Sequence, residues 1–377
     1  MNNISAGSKT VLSVLALLAL MAFLAVEFGK EDVKLKWYEQ KFEAARTSKS
    51  AADFLKEFRL QKGVFIDAVN DPNETALIGQ DITAITTDRG YIEAKLTATN
   101  PNFAAVVVEM LKEAGLEKND IVAVAFTGSL PGLNIAVHSA IQTLKLKPII
   151  ITSVGSSNWG ANDPYYTWLD MENALFKEGI FENKSIAASI GGGLDRGRGL
   201  SPEGRQLIID AIERSGIEFI NEEHLEASIQ KRIEIYNEHR KKDNINAFIN
   251  VGGGIASLGS TENAQFIPTG LSISLPMMNY PRRGVLIRMA EENIPIIHLL
   301  NINQLAHKYG LPISPTPLPL PGEGEIFIQR RYSVILTLVV TLFLTAVIAF
   351  VFVMERKRHR LGAEQIPMQK KVDFDEI

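Results

Sequence analysis

Two apolar runs of near membrane-spanning length constrain this chain most strongly, because they lie near its ends and leave most of its 377 residues between them. The first run covers residues 10–26 and the second covers residues 334–354. A bilayer core requires about 20 apolar residues in a helix, a length that only the second run reaches comfortably. The sequence therefore predicts a membrane protein with two anchors, whose chemistry lies in the stretch between them.

Basic residues after the second run predict the orientation of the chain. They occupy positions 356–360 and 370–371, and lysine and arginine beside a membrane helix are retained in the cytoplasm. We therefore expect a two-pass protein of the cell membrane, with cytoplasmic termini and an extracytoplasmic central domain. The first run can also be interpreted as a cleaved secretory signal, which would leave the same face exposed.

Composition divides the chain into six segments. These are the N-terminus with the first anchor (1–29), a juxtamembrane helix (30–62), an extracytoplasmic α/β domain (63–311), a proline-rich linker (312–332), the second anchor (333–354) and a basic cytoplasmic tail (355–377). Five prolines at positions 312, 315, 317, 319 and 321 favour an extended spacer. Such a spacer would hold the domain off the membrane.

Charge and cysteine content exclude several classes of function. The net charge is −4, and no stripe of basic and aromatic residues is present, so we expect no nucleic-acid partner. The chain has no cysteine, which excludes a disulfide framework, a thiol nucleophile and a thiolate metal site. We expect neither a cofactor nor a resident metal.

Strand-like runs alternate with amphipathic helices along the central domain. Strands are predicted at 121–126, 148–153, 185–190, 218–220, 247–251 and 295–299, and helices at 133–144, 166–177, 202–214, 222–242, 282–292 and 303–309. Ser201 and Gly216 are typical of the two ends of one helix, and Asn221 is the expected cap of the next. This alternation predicts an α/β domain, Rossmann-like, with a largely parallel sheet and helices on both faces.

Four predicted strands run directly into glycine-rich loops, at residues 127–134, 155–160, 191–199 and 252–259. The carboxyl ends of parallel strands meet at one edge of a sheet, where α/β proteins bind their ligands. Glycines allow backbone N–H groups to approach an anion. The predicted ligand-binding residues are Gly128, Ser129, Asn134, Asn158, Trp159, Gly191, Gly192, Gly193, Arg196, Gly252, Gly253 and Gly254. Neither the P-loop nor the dinucleotide pattern occurs, which disfavours ATP and NAD chemistry.

Ser129 is the best candidate nucleophile, because it lies where a strand turns into a helix. Its surroundings lack the G-x-S-x-G pattern, and Ser129 could instead cap the helix that begins near Pro131. His298 is the only plausible base, since it lies near the end of a predicted strand. The alternative for His298 is a structural histidine.

Other polar and aromatic residues leave two interpretations open. The segment 158–170 contains two of the three tryptophans and could line a polymer groove or belong to the core. Aspartates 163, 170 and 195 could bind a cation but fit capping roles better. Arginines 196, 198, 282 and 283 could pair with substrate carboxylates.

Four segments carry a resemblance to a known family. They are residues 76–79 (ALIG), 94–103 (AKLTATNPNF), 127–134 (TGSLPGLN) and 153–162 (SVGSSNWGAN). Together with the anchor, α/β domain and anchor layout, they resemble the poly-γ-glutamate system protein family. The resemblance implies association with membrane subunits that synthesise or export an anionic γ-linked glutamate polymer at the bacterial surface. It supplies no established catalytic residues.

Two functions of different classes follow. In the first, the domain binds poly-γ-glutamate or the synthase and export subunits of its system, without catalysis. In the second, it is a hydrolase or transferase acting on γ-glutamyl bonds, with Ser129 as the nucleophile. The missing nucleophile pattern and the weak histidine candidate favour the first.

Overall fold

The computed structural model describes residues 8–276 and 278–363, so part of the predicted basic tail, residues 364–377, lies outside the described residues. The chain forms two compact units. Residues Leu35–Ile328 form the globular unit, and the two ends of the chain form the terminal unit.

The helices are α1 (Lys9–Phe28), α2 (Tyr38–Gln61), α3 (Ile92–Ala98), α4 (Phe103–Glu113), α5 (Pro131–Leu144), α6 (Trp168–Lys177), α7 (Pro202–Ser215), α8 (Leu225–Arg240), α9 (Ile255–Leu258), α10 (Asn263–Phe266), α11 (Val285–Glu291), α12 (Ile302–Lys308) and α13 (Val334–Ala363). The strands are β1 (Lys30–Lys34), β2 (Thr86–Asp88), β3 (Ile121–Thr127), β4 (Lys147–Ser153), β5 (Ser156–Ser157), β6 (Asn162–Asp163), β7 (Tyr166–Thr167), β8 (Ala187–Ser189), β9 (Glu218–Ile220), β10 (Ile245–Val251), β11 (Gly270–Ser272), β12 (Ile296–Leu299) and β13 (Ile328–Tyr332).

The terminal unit contains two helices that are long and apolar enough to cross a membrane. They span Lys9–Phe28 and Val334–Lys357, and neither is buried within the protein. Strands β1 and β13 pair beside them, and the Tyr332 hydroxyl donates a hydrogen bond to Glu27 at 2.9 Å. This arrangement fits a two-pass membrane protein, as the sequence predicted.

A seven-stranded sheet forms the centre of the globular unit, in the order β11-β12-β10-β3-β4-β8-β9. All neighbours pair in parallel except β11, which is antiparallel to β12 at the edge. The chain winds outward from β3 through β4, β8 and β9, and then places β10 on the other side of β3. A crevice opens beyond the strand ends at such a reversal. The largely parallel α/β sheet is confirmed.

Alternate residues of the central strands enter two separate cores. In β3, Val122, Val124 and Phe126 face the core formed with α2, α4, α5 and α6. Ile121 and Ala123 face the opposite core, formed with α8, α9 and α11. Because both faces are covered, β3 is apolar except at its last residue and buried throughout.

The ends of the helices agree with the sequence-based prediction where a polar N-cap residue or a C-terminal glycine is present. Ser201 caps α7 by accepting a hydrogen bond from the Gly204 N–H, and Gly216 ends that helix in the left-handed conformation. The expected cap of α8 was wrong, because the helix begins after His224 rather than after Asn221.

Strand β11 was not predicted, since three residues carry too little periodicity.

Two segments predicted as connectors belong to the globular unit instead. Helix α2 buries Ala44, Ala45, Ala51 and Leu55 against the main core, so it is part of the domain and not a separate juxtamembrane helix. The proline-rich segment also packs on the domain, with Ile326 and Phe327 buried. The expected extended spacer is therefore wrong for residues 312–328.

Asn102 holds the proline-rich segment in place. Its side-chain amide donates hydrogen bonds to the carbonyls of Leu320 and Glu323 at 2.9 and 3.0 Å, and its oxygen accepts from Gly322 N at 3.3 Å. Asn102 is itself fully buried. These bonds satisfy backbone groups of a segment that has no regular secondary structure.

Replacing Asn102 by alanine should release this segment. The substitution leaves three partly buried backbone groups without their side-chain partner, which costs about 1–3 kcal/mol in the free energy of unfolding. Chemical unfolding of the detergent-solubilised chain, followed by tryptophan fluorescence, measures the loss. Limited proteolysis should find new cleavage between residues 312 and 327. The exposed Asn244→Ala is the matched control, and equal protease resistance of both variants would contradict the assignment.

Candidate functional site

A cleft of about 990 Å³ lies beyond the carboxyl edge of the sheet. All four glycine-rich loops border it, through Ser129, Ser157, Gly192 and Gly253 among others. The cleft also includes the ends of β3 and β10, where the winding of the sheet reverses. The structure therefore brings the four loops to one rim, as the parallel topology predicted.

The close approach of β3 and β10 at this rim requires glycine. Gly252 directly follows β10 and has φ +86°, and a Cβ added there would lie 2.3 Å from Thr127 Oγ1. Thr127 Oγ1 in turn donates a hydrogen bond to the Val251 carbonyl at 3.2 Å. This packing fixes the floor of the cleft between the two strand ends.

A buried ion pair anchors the loop 191–199. Asp195 accepts hydrogen bonds from Arg232 at 3.1 Å and from Ser189 Oγ at 2.8 Å, with further hydroxyl contacts from Ser153 and Ser228. Both charged side chains are almost completely buried. Because each charge is compensated and hydrogen-bonded, the pair is tolerated in the interior, and the glycines of the loop can line the cleft.

Lys95 is a nearly buried lysine that borders the cleft. It lies on α3, is 6% exposed, and donates hydrogen bonds from Nζ to the Ser129 carbonyl and, at 2.8 Å, to Ser157 Oγ. Within the described residues no carboxylate forms an ion pair with it. Burial disfavours the ammonium and lowers the pKa of Lys95 to about 7.

Ser129 lines the cleft but does not cap α5, whose N-cap is Leu130. The Ser129 hydroxyl oxygen accepts a hydrogen bond from the Ser157 N–H at 3.1 Å. This bond joins the loop after β3 to the loop after β4. The interpretation of Ser129 as a helix cap was therefore wrong, whereas its position at the carboxyl edge of the sheet agrees with the sequence-based prediction.

His298 does not border the cleft. Its side chain is 0% exposed, and its Nδ1 lies 2.9 Å from Asn250 Nδ2 on the neighbouring strand. Desolvation lowers its pKa to about 4. The expected pairing of His298 as a base with Ser129 is therefore not formed, because the histidine is fully buried, does not line the cleft and contacts Asn250 instead.

The predicted ligand-binding residues separate into two groups. Those that line the cleft are Ser129, Gly192, Gly193, Gly252, Gly253 and Gly254. The others, which do not line it, are Gly128, Asn134, Asn158, Trp159, Gly191 and Arg196. Several of these support the loops: Asn134 donates to the Thr127 carbonyl at 2.9 Å, and Asn158 accepts from Gly90 N at 2.9 Å. Trp159 lines a separate cavity of about 420 Å³.

The aromatic and acidic candidates have structural roles. Trp168 is fully buried beside Phe126 and His138, so this part of the segment belongs to the core. Asp170 pairs with Arg214 at 3.1 Å, and Arg196 donates to the Glu223 carbonyl at 2.9 Å. Over residues 8–276 and 278–363, no group of three acidic or histidine side chains is placed to hold a metal ion.

Sequence reasoning missed Lys95, Ser157 and Arg89 as cleft residues. Lys95 and Arg89 lie before the first long strand, outside the glycine-rich loops. Lys95 lies on α3, which packs against α5 and α12, and Arg89 directly follows β2, so only the tertiary fold brings the two residues to the cleft. Lys95 is one of three buried residues of α3, with Thr97 and Ala98, and no motif or spacing in the sequence marks it as part of a site.

Comparison of the chain with protein-family models, with curated proteins and with solved structures gives no match.

The lowered pKa of Lys95 predicts a pH-dependent stability. Between pH 7 and 10.5 the unfolded chain holds the Lys95 proton whereas the folded chain has released it. The penalty for burying the ammonium is thus complete below about pH 7 and is relieved as the pH rises. The free energy of unfolding of the wild type, minus that of Lys95→Met, should increase over this interval.

Chemical unfolding at a series of pH values from 6 to 10.5 measures this difference. Lys118→Met, at an exposed position, is the matched control for the loss of one lysine charge. A difference between wild type and Lys95→Met that stays constant across the whole series would contradict the assignment.

Proposed function

We propose that this protein is a membrane-anchored, Rossmann-like component of a poly-γ-glutamate synthesis or export system, whose cleft binds the polymer. The resemblance in four segments supports the proposal, as does the reversal of winding beside the cleft. The two apolar helices are compatible with a place in membrane machinery. Partner subunits of the system are the second class of ligand proposed for the domain.

The observation that carries this proposal is the set of cations around the cleft. Arg89 and Arg198 line it and are exposed, and neither pairs with a carboxylate among the described residues. Lys95 adds a buried amine deeper in the same cleft. Carboxylates form their strongest hydrogen bonds with arginine, and regularly spaced carboxylates are the distinctive chemistry of a polyglutamate chain.

The acidic residues of the cleft leave these cations available. Asp88 accepts a hydrogen bond from the Arg89 backbone N–H at 2.7 Å, and Glu93 accepts one from the Asn303 side-chain amide. Neither carboxylate is therefore held by a guanidinium group. An anionic chain entering the cleft would meet two unpaired guanidinium groups and glycine N–H groups at the rim.

Polymer binding can be tested with the full chain in detergent. Fluorescently labelled poly-γ-glutamate should bind, and Arg89→Gln or Arg198→Gln should each weaken binding roughly two- to fivefold, as for exposed ion pairs. Arg46→Gln, on the outer surface of α2, is the matched control. Fluorescence anisotropy at low and high salt measures the affinity.

Poly-α-glutamate and an uncharged polymer are the comparison ligands. Binding that is insensitive to both cleft arginines, or equal for charged and uncharged polymers, would contradict the proposed role of the cleft.

An extracytoplasmic domain with cytoplasmic termini is the orientation that this function requires. The absence of cysteine allows a clean test with single-cysteine variants. In intact cells, Lys118→Cys in the globular unit should react with a membrane-impermeant maleimide, whereas Lys370→Cys should react only after lysis. The reverse labelling pattern would refute the orientation.

A further inference from the structure

Two buried lysines in the globular unit differ in how their charge is compensated. Lys41 is fully buried, forms an ion pair with Glu109 and donates to the Ile326 carbonyl at 3.0 Å. Lys95 is nearly as buried but is bonded only to neutral oxygens, those of Ser129 and Ser157. Burying a lysine without a carboxylate is costly, so it marks a position where the neutral amine is useful.

The contact between Lys95 and Ser157 has the geometry of a base beside a nucleophile. Nζ lies 2.8 Å from Ser157 Oγ, and both residues line the cleft. The second hydrogen bond of Nζ, to the Ser129 carbonyl, fixes the direction of the amine. When it is neutral, the amine can accept the Ser157 hydroxyl proton while still donating to the carbonyl.

Gly90 provides the space that this contact needs. A Cβ at position 90 would lie 2.9 Å from Ser157 Oγ and 3.1 Å from Lys95 Cε. A larger residue would therefore push the two side chains apart. Ser157 is 8% exposed, so its hydroxyl borders the cleft while most of its surface is enclosed.

Ser129 completes the arrangement from the loop after β3. Its hydroxyl oxygen accepts the Ser157 N–H at 3.1 Å, which leaves its own hydrogen free to donate into the cleft. A hydroxyl donor in this position can stabilise negative charge that develops on a carbonyl oxygen near Ser157. Ser129, the nucleophile suggested by the sequence, thus fits a supporting role better.

We infer that Ser157 and Lys95 form a catalytic dyad that hydrolyses amide bonds in a carboxylate-rich chain, with Ser129 as the oxyanion donor. The inference rests on the proposed function for its substrate class, because it assigns chemistry to the same cleft. Arg89 and Arg198 would hold carboxylates on either side of the scissile bond.

The first half of the reaction forms an ester. The Ser157 oxygen attacks the amide carbonyl carbon, and its proton passes to the neutral Lys95 amine. The carbon–nitrogen bond then breaks, the Lys95 ammonium returns the proton to the leaving nitrogen, and an amine departs. The acyl group remains on Ser157.

The second half consumes water. A water molecule loses a proton to Lys95 and attacks the ester carbonyl carbon, and the bond to the Ser157 oxygen breaks. That oxygen regains its proton from Lys95, and a carboxylic acid is released. The net reaction is amide plus water giving acid plus amine.

The lowered pKa of Lys95, about 7, makes a large share of the amine neutral at neutral pH. The other titratable or charged groups bordering the cleft are Asp88, Arg89, Tyr91, Glu93 and Arg198. Cleavage should therefore increase with pH through about 7, as Lys95 loses its proton.

The test incubates the full chain in detergent with poly-γ-glutamate and measures both chain length and the appearance of new amino groups. Ser157→Ala and Lys95→Arg should reduce cleavage roughly 10²- to 10⁴-fold, since arginine keeps the charge but cannot act as a base. Ser129→Ala should reduce it roughly 10²- to 10³-fold. Ser50→Ala, at an exposed position on α2, is the control.

Binding of the labelled polymer to Ser157→Ala, measured in parallel, separates the two proposals. Retained binding together with an unchanged polymer in the wild-type reaction would overturn the dyad and leave the binding function standing. Absence of binding would overturn the function proposed for the cleft. Cleavage that persists in Ser157→Ala, or a wild-type rate that does not change with pH between 6 and 9, would also overturn the dyad.

Discussion

Burial of the parallel sheet on both faces is the constraint on which the rest of the globular unit depends. Helices must cover each side of β3 and β10, so the connections between the parallel strands pass over a face of the sheet, and each parallel strand starts again at the same edge. The opposite edge consequently gathers the loops after all the parallel strands. Glycine and serine are concentrated in these loops, and the cleft is the space between them.

The polar groups near this edge are satisfied in two different ways. In the Asp195–Arg232 pair, the two opposite charges compensate each other and nearby hydroxyl groups donate hydrogen bonds to the carboxylate. This pair supports a loop. The charge of Lys95 is not compensated in this way, because its amine donates hydrogen bonds only to neutral oxygens at the border of the cleft. The first arrangement is compatible with stability, whereas the second opposes folding, a pattern that is common at functional sites.

Much of the architecture could be predicted from the sequence because its signals are local. Periodicity located the long strands and most of the helices, although α4 was not predicted, and the Ser201 and Gly216 caps marked the ends of α7. The shared rim followed from topology alone. The short edge strand β11 and the start of α8 could not be predicted, since three residues or a missing polar cap leave no pattern.

The side-chain contacts of the candidate site were harder to predict, because they join distant segments of the chain. Lys95 and Ser157 are 62 positions apart, and no spacing rule connects them. The prediction for helix α2 was also wrong: its segment was interpreted as a juxtamembrane helix, although its alanines and Leu55 pack into the core. The proline-rich segment was predicted to be a spacer from its composition alone. Composition cannot reveal that the buried side-chain amide of Asn102 donates hydrogen bonds to this segment.

The hydrogen bond from Leu35 N to the Phe327 carbonyl, at 2.9 Å, joins the first and nearly the last residue of the globular unit. The polypeptide thus enters and leaves this unit at a single point, in the manner of a domain inserted into a host protein. Such a domain can be gained or lost as one block without moving the segments before and after it. It could equally tolerate a circular permutation that joins its natural ends and opens the chain at a distant loop.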